Sequence, residues 1–289
     1  MRGHEKQTLP SGGPVHVGPL RKKFFVPPRW QSALAPAWLR DPYSKHNFKG
    51  FFGSLRSTRF EAALQLAGCC QAPARRLAVE IGCADGYLLP SLSAYFERVL
   101  ALDIEQVYVR ASEELVERNR LANVQVLQVG GNLEGLGPLA ERADVVFCLE
   151  VLEHIFQPGA EWEAREVFLD TVKSRLLKPG GVLVASVPVE VGPSLLIKET
   201  LRRLRQRDSR HRLAVLLAAS VYRTDDYQQF EGTHWGFDYR RLIELVSRKF
   251  HIQEVRFLPP GVPRWLAATV IVKARAGPNS DAERCTSSF

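Results

Sequence analysis

The 289-residue sequence predicts an α/β fold built around a doubly wound, mainly parallel seven-stranded sheet. The first observation is a series of short apolar runs without polar alternation, which is typical of strands covered on both faces. The second is that helical segments separate these runs, as they do in βαβ units. The third is the length of the chain, which is sufficient for one large domain with appendages.

The predicted elements follow one another regularly over residues 51–275. Apolar residues at helical spacing predict a first helix over 54–66, which Gly68 would end. A last helix is predicted over 238–249, where Asp238 can cap the N-terminus. The predicted strands are 77–81, 98–103, 124–129, 143–149, 181–187, 251–257 and 268–274.

Three segments fall outside this pattern. Residues 1–50 form a predicted basic arm rich in Pro and Gly, and residues 276–289 form a predicted disordered tail. An irregular insertion over 190–236 follows the fifth strand and would face the substrate. Before that strand, the turn at 178–181 should end a helix, because Pro179 cannot continue it and glycine adopts a positive φ.

The formal net charge of +8 is concentrated in two segments. Residues 1–50 hold nine Lys and Arg against two acidic residues, and residues 198–212 hold seven against two. Such segments attract phosphates, nucleic acid or an anionic membrane surface, although a solvated basic face explains them equally well. The leucines among the arginines make the second segment amphipathic, as in helices that rest on lipid.

The composition also bears on location and on metal or disulfide frameworks. There is no run of about eighteen uncharged apolar residues of the kind that spans a membrane. The basic N-terminus lacks the apolar segment of a secretory signal, so we expect a cytoplasmic protein, with peripheral membrane contact left open. The five cysteines include no CxxC pair, which argues against a zinc site or a disulfide framework.

A glycine-rich turn follows the first strand, in the run Glu80-Ile81-Gly82-Cys83-Ala84-Asp85-Gly86. Glycines at this end of a parallel strand let the backbone approach a nucleotide-like ligand. A dinucleotide-binding turn would have a third glycine where Leu89 stands, so a nicotinamide cofactor is disfavoured. Glu80 instead suits a ligand that carries an ammonium and a sulfonium.

This run resembles the E/D-x-G-x-G-x-G motif of class I methyltransferases, with Ala84 in place of the middle glycine. The resemblance implies S-adenosyl-L-methionine as the cofactor. It also implies that Asp103, at the end of the second strand, accepts hydrogen bonds from both ribose hydroxyls, and that Asn132 and Leu133 lie against the adenine. The residues expected to bind the cofactor are Glu80, Gly82, Cys83, Ala84, Gly86, Asp103, Ile104, Asn132, Leu133 and Glu150.

Three polar side chains, Glu150, Glu153 and His154, follow the fourth strand. If the chain turns helical there, they fall at positions i, i+3 and i+4 on one face, at the ligand end of the sheet. Two carboxylates and an imidazole can hold a divalent cation, and the oxygen ligands favour Mg²⁺ or Mn²⁺. His234, before the last helix, could supply a fourth ligand.

The Glu-x-x-Glu-His run resembles two methyltransferase families, the small-RNA 3′-end 2′-O-methyltransferases and the ubiquinone-pathway O-methyltransferases. In the RNA family the matched positions, here Glu150, Glu153, His154 and His234, bind a metal that grips a vicinal diol. The resemblance implies a metal-bound hydroxyl that loses its proton and attacks the sulfonium methyl. Without a metal, Glu150 would contact cofactor or substrate, and His234 or His154 would be the general base.

Three hypotheses for the activity remain open at this stage. The preferred one is O-methylation of a sugar, a glycolipid or another hydroxylated small molecule, because no recognised RNA module is present. The alternatives are an RNA 2′-O-methyltransferase, which the positive charge and the His234 segment favour, and a degenerate methyltransferase fold without activity, for which Ala84 is the only hint. Beside these three, the second resemblance implies a ubiquinone-pathway-like O-methyltransferase as an alternative.

Overall fold

The computed structural model describes residues 39, 50–69, 75–139, 141–204, 213–223 and 237–277. Most of the predicted arm, the tail beyond residue 277 and the segment that contains His234 lie outside these ranges. Leu39 is the one described residue of the arm before residue 50, and it packs on Ala111 and Tyr108.

A single seven-stranded sheet organises the described part of the chain, in the order β3-β2-β1-β4-β5-β7-β6. The first five strands in this order are parallel, and β7 runs antiparallel between its two neighbours. The strands are β1 Arg75–Ile81, β2 Phe96–Asp103, β3 Val124–Gln128, β4 Ala143–Leu149, β5 Leu177–Pro188, β6 His251–Leu258 and β7 Thr269–Arg275. The predicted doubly wound α/β fold is confirmed.

Helices cover both faces of the sheet. They are α1 Gly50–Leu66, α2 Leu89–Tyr95, α3 Gln106–Asn119, α4 Glu161–Thr171, α5 Pro193–Leu204, α6 Leu213–Ser220 and α7 Tyr239–Lys249. Alternate residues of β4 enter two separate cores: Val146 and Cys148 pack with residues of α4 and α7, whereas Val145 and Phe147 pack with residues of α1 and α2. Burial on both faces explains why the strands lack polar alternation.

The region before β5 differs slightly from the prediction. A π-helical turn, Val172–Leu176, follows α4 directly, and β5 already begins at Leu177. Gly180 has the expected positive φ, +76°, but it lies within the strand rather than before it. The pairing of β4 with β5 shifts in register at this point, so the predicted turn is an irregularity at the start of the strand.

The insertion after β5 contributes α5 and α6, which pack on each other through Leu195, Leu216 and Ala219. Helix α5 also contacts the short turn Arg264–Leu266, which lies between β6 and β7. Because β5 and β6 both end at the carboxyl edge of the sheet, the insertion and this turn lie on the side where ligands bind in such folds. Among the described residues, no helix combines the length and the apolar character needed to span a bilayer.

Candidate active site

The glycine turn after β1 forms the floor of the candidate site. The backbone N–H groups of Gly82 and Cys83 both donate to the Leu102 carbonyl of β2, at 2.8 and 3.1 Å. Gly82 has φ +72°, and a β-carbon at this position would lie 2.4 Å from Cγ2 of Val151. Position 82 therefore requires glycine both for its backbone conformation and for the close approach of the segment after β4.

Asp103 joins this turn to the end of β2. Its Oδ2 accepts from the backbone N–H of Ala84 at 2.8 Å, and its Oδ1 accepts from that of Glu105 at 3.0 Å. Burial raises the pKa of Asp103, while these backbone hydrogen bonds oppose the rise. The carboxyl group is thus held in place at the position where the resemblance expects the ribose.

Ala84 occupies a left-handed backbone conformation, with φ +48°. Ser112, a buried residue of α3, donates its hydroxyl to the Ala84 carbonyl at 2.7 Å. The Ser112 hydroxyl also lies 3.6 Å from the Cys83 sulfur. Burial raises the pKa of the Cys83 thiol, so Cys83 stays neutral and faces the interior. Sequence reasoning missed Ser112, because a serine inside a helix carries no signal of contact with a turn 28 residues earlier.

Replacing Ala84 with glycine should stabilise the protein by roughly 0.5–1 kcal/mol. An alanine in the left-handed conformation costs about 1–2 kcal/mol, which glycine would avoid. Glycine also has more conformational freedom in the unfolded chain, and this offsets part of the gain. Urea denaturation would measure the change. The matched control is Ala164→Gly within α4, which should destabilise the protein by about 1 kcal/mol. A destabilised A84G variant would contradict the inference that the backbone is strained at Ala84.

Glu80 provides a buried carboxyl group next to the turn. It is 5% exposed, and among the described residues its Oε2 has no hydrogen-bond partner. Burial raises the pKa of Glu80 well above its ordinary value, and the nearby Asp103 raises it further. A buried, unsatisfied carboxyl group favours a cationic partner, so the site fits the ammonium of adenosylmethionine.

Binding of S-adenosylhomocysteine, which carries the same ammonium, should release a proton from Glu80. The ammonium favours the ionised carboxylate, whereas the unliganded site keeps the proton up to its raised pKa. Affinity should therefore rise as the pH increases towards that raised pKa. Titration calorimetry in buffers of different ionisation enthalpy counts the protons; release that persists in Glu80→Gln would assign it to another group.

The predicted adenine-binding residues separate in the structure. Ile104 is 55% exposed beside Asp103, whereas Leu133 is 1% exposed and packs in the core. Leu133 has a positive φ of +60°, and its expected contact with the adenine stays a prediction. Asn132 is half-buried, and its Oδ1 accepts from Thr171 of α4 at 3.2 Å.

Glu150 stands directly after β4 with a left-handed φ of +58°. Its backbone N–H donates to the Ser186 carbonyl of β5 at 2.9 Å. The Ser186 hydroxyl donates to Oε1 of Glu150 at 3.2 Å. Since β1 and β4 are neighbours in the sheet, this carboxylate lies at the same edge as the glycine turn.

The segment after Glu150 is not the predicted α-helix. Only a 3₁₀ turn, Leu152–His154, forms, and it places Glu153 fully inside and His154 at the surface. The expectation of one shared helical face is therefore wrong, because neighbouring positions of a single tight turn point in different directions. Burial raises the pKa of Glu153 most, the charge of Glu150 raises it further, and Arg59 and Arg165 oppose the rise.

The predicted metal ligands do not fit a cation by themselves. Within the part of the chain that the structure describes, no group of three or more His, Cys, Asp and Glu side chains could hold a metal ion. Glu153 and His154 face apart, and His234 lies outside the described residues. The role of His234 as metal ligand or general base stays a prediction.

Arg165 of α4 anchors the 3₁₀ turn from below. The residue is fully buried, its Nε donates to the Leu152 carbonyl at 2.9 Å, and its Nη2 lies 3.5 Å from the Glu153 carbonyl. The guanidinium stacks over the Trp162 and Phe237 rings at 4.6 and 5.1 Å. Burial lowers the pKa of Arg165 to about 10, which leaves it a cation at neutral pH. The sequence offers no sign of this role, since arginine in a helix ordinarily faces solvent.

Comparisons with known proteins agree with this geometry. A family model described as a methyltransferase domain matches residues 79–183. The ubiquinone biosynthesis O-methyltransferase of Xanthomonas oryzae pv. oryzae is 30% identical over 213 residues, which cover 71% of this chain and 76% of that protein. The enzyme of the same name from Methylococcus capsulatus is 28% identical over 172 residues, covering 60% of this chain and 62% of that protein.

Solved structures show the same fold at low sequence identity. The N-methyltransferase NodS from Bradyrhizobium japonicum WM9, in complex with S-adenosyl-L-homocysteine, is 15% identical with a TM-score of 0.51, over 81% of this chain and 96% of its own. An S-adenosylmethionine-dependent methyltransferase, described as putative, from Listeria monocytogenes is 14% identical with a TM-score of 0.52, over 77% of this chain and all of its own.

The glycine turn, the buried Glu80 and Asp103 therefore stand in the fold of the methyltransferases that these solved structures show, and the sequence relatives are methyltransferases too. The chain belongs to the class I S-adenosylmethionine-dependent methyltransferase family.

Proposed function

We propose that this protein transfers a methyl group to a hydroxyl oxygen of a phenolic acceptor that carries an apolar tail. The observation that carries the proposal is the Glu150 carboxylate, which is fixed at the carboxyl end of β4 beside the cofactor turn. S-adenosylmethionine supplies the electrophilic methyl group when it is bound. Glu150 accepts the proton of the acceptor hydroxyl as the oxygen attacks, which is general-base catalysis by a positioned carboxylate.

The relatives favour a phenol over the glycan or glycolipid that the sequence led us to prefer. They are named ubiquinone biosynthesis O-methyltransferases, and ubiquinone is a methoxylated quinone with a long apolar tail. A phenolic hydroxyl is also more acidic than a sugar hydroxyl, so a carboxylate base suits it better. Methylation of a glycan or glycolipid stays a prediction, which is to be tested beside methylation of the phenol.

Exposed apolar side chains on the acceptor side support the tail. Four large side chains of α5, α6 and the turns around them are exposed, namely Ile197, Leu217, Val221 and Trp265. The basic residues of segment 198–212 follow Ile197 directly in the sequence. Exposed apolar side chains that a basic segment follows in the sequence suit an amphiphile, and they also suit peripheral contact with an anionic membrane, which we include in the proposal.

The test uses 3,4-dihydroxybenzoate, its decyl ester, a glycolipid and a ribo-oligonucleotide as acceptors for labelled methyl groups. We expect transfer to the two phenols and a lower KM for the ester. The isosteric Glu150→Gln should lower kcat by roughly 100-fold, the scale of general-base catalysis. It should leave the affinity for S-adenosylhomocysteine within about threefold. Transfer to the glycolipid or the oligonucleotide alone would contradict the phenol proposal.

Metal assistance is tested in the same assay. Activity that a chelator abolishes, that Mg²⁺ or Mn²⁺ restores and that His234→Ala removes would support the predicted metal centre. Activity that is indifferent to the chelator and unaffected in His234→Ala would exclude it. Binding to anionic vesicles, measured by flotation with and without the paired substitutions Leu217→Ser and Val221→Ser, tests the membrane contact.

A further inference from the structure

Ser186 is an unusual residue for its place in the fold. It lies near the carboxyl end of β5, in the run Val182–Pro188, where every residue is buried and Ser186 itself is only 1% exposed. A hydroxyl in an apolar core is costly unless it forms a hydrogen bond. The partner of this hydroxyl is Oε1 of Glu150, at 3.2 Å.

Ser186 holds Glu150 at two points. Its backbone carbonyl accepts the Glu150 N–H at 2.9 Å, and its side chain donates to the Glu150 carboxylate. The first contact continues the pairing of Leu149 with Ser186 across β4 and β5 by one residue. It thereby holds Glu150 in its left-handed conformation, with φ +58°, which a residue other than glycine rarely adopts.

These two contacts leave the other oxygen of the Glu150 carboxylate available. No described residue donates a hydrogen bond to Oε2 of Glu150, and the residue is half-buried at the carboxyl edge of the sheet. The buried Glu153 lies close enough for the charge of Glu150 to act on it. Oxygen Oε1 therefore already accepts one hydrogen bond from the protein, whereas Oε2 accepts none from the described residues and is left to meet an acceptor hydroxyl.

We propose that Ser186 is a positioning residue for methyl transfer, which fixes the Glu150 carboxylate through Oε1 so that Oε2 can take the acceptor proton. The inference rests on the proposed function, in which Glu150 is the base. A buried hydroxyl that served packing alone would be replaceable by alanine without effect on the reaction. A positioning hydroxyl would not be, because a misplaced base loses the pre-organisation on which its rate depends.

The test compares Ser186→Ala with Ser186→Thr, which keeps the hydroxyl. With 3,4-dihydroxybenzoate as acceptor, S186A should lower kcat by roughly 10- to 100-fold, the factor of one hydrogen bond to a charged group. Its KM and its affinity for S-adenosylhomocysteine should stay within about threefold of the wild type, and S186T should recover most of kcat. Ser91→Ala, which removes another buried hydroxyl in α2, is the matched control and should retain kcat.

A measurement without acceptor separates this inference from the proposed function. In protein with glutamate labelled with ¹³C at the carboxyl carbon, the Glu150 resonance is assigned by its loss in Glu150→Gln. We expect that resonance to move in S186A and to return towards its wild-type position in S186T. An unmoved resonance overturns the inference even if phenols are methylated, and so does an unchanged kcat in S186A. A wild type that methylates no phenol overturns the proposed function, while the resonance still decides whether Ser186 fixes Glu150.

Discussion

Replacing Arg165 with alanine should destabilise the protein by roughly 3–5 kcal/mol, the cost of removing one member of a buried charged network. Arg165 is fully buried, donates to the Leu152 carbonyl and lies over two aromatic rings. Its loss would leave that carbonyl without its donor and would remove one of the two cations, Arg59 and Arg165, that act on Glu153. The void that the side chain would leave beside the Trp162 and Phe237 rings would add to the cost.

The effect should appear as a lower midpoint of urea denaturation, with an unchanged slope of the unfolding free energy against urea concentration. Arg165→Lys should recover only part of the stability, because a lysine ammonium cannot stack on aromatic rings as a planar guanidinium does or reproduce its fork of donors. Arg118→Ala is the surface control, since Arg118 forms an exposed pair with Glu114 one helical turn away and should cost only about 0.3–0.5 kcal/mol. An R165A variant as stable as R118A would show that the turn after β4 needs no support from α4.

Replacing Asp103 with alanine should lower the affinity for S-adenosylhomocysteine by at least roughly 100-fold. The variant would lose the two hydrogen bonds that we expect between the ribose hydroxyls of the ligand and the Asp103 carboxylate. At about 1.5–3 kcal/mol each, they exceed the 2.7 kcal/mol that corresponds to a 100-fold change in affinity. The backbone N–H groups of Ala84 and Glu105 would also lose their acceptor, so the cofactor turn itself would loosen. Titration calorimetry of the folded variant measures the change.

Two variants sharpen this experiment. Asp103→Asn keeps the shape and one acceptor oxygen, so its affinity should fall between those of the wild type and D103A. Asp144→Ala removes a carboxylate that accepts from the Leu77 N–H and pairs with Lys178 at the opposite, amino-terminal edge of the sheet. D144A should bind the ligand as the wild type does, and a D103A variant with unchanged affinity would remove Asp103 from the cofactor site.

The sequence determined the strands, the cofactor turn and the acidic residue of the second strand, because these depend on local patterns. Apolar runs without polar alternation identify buried strands, and the spacing of Glu80, Gly82 and Gly86 follows from the turn that a strand must make before the next helix. The sequence also shows that Leu89 stands where a dinucleotide-binding turn would have its third glycine. None of these inferences needs knowledge of which segments become neighbours.

The tertiary structure alone decided the arrangement after β4. The hydrogen bond between Ser186 and Glu150 spans 36 residues, and the contact of Arg165 with Leu152 depends on how α4 packs under the sheet. The same packing draws Glu153 into the interior and leaves His154 outside, so that a regular Glu-x-x-Glu-His spacing does not become one helical face. Periodicity describes a chain segment by itself, whereas the position of these side chains follows from the neighbouring strand and helix against which the segment folds.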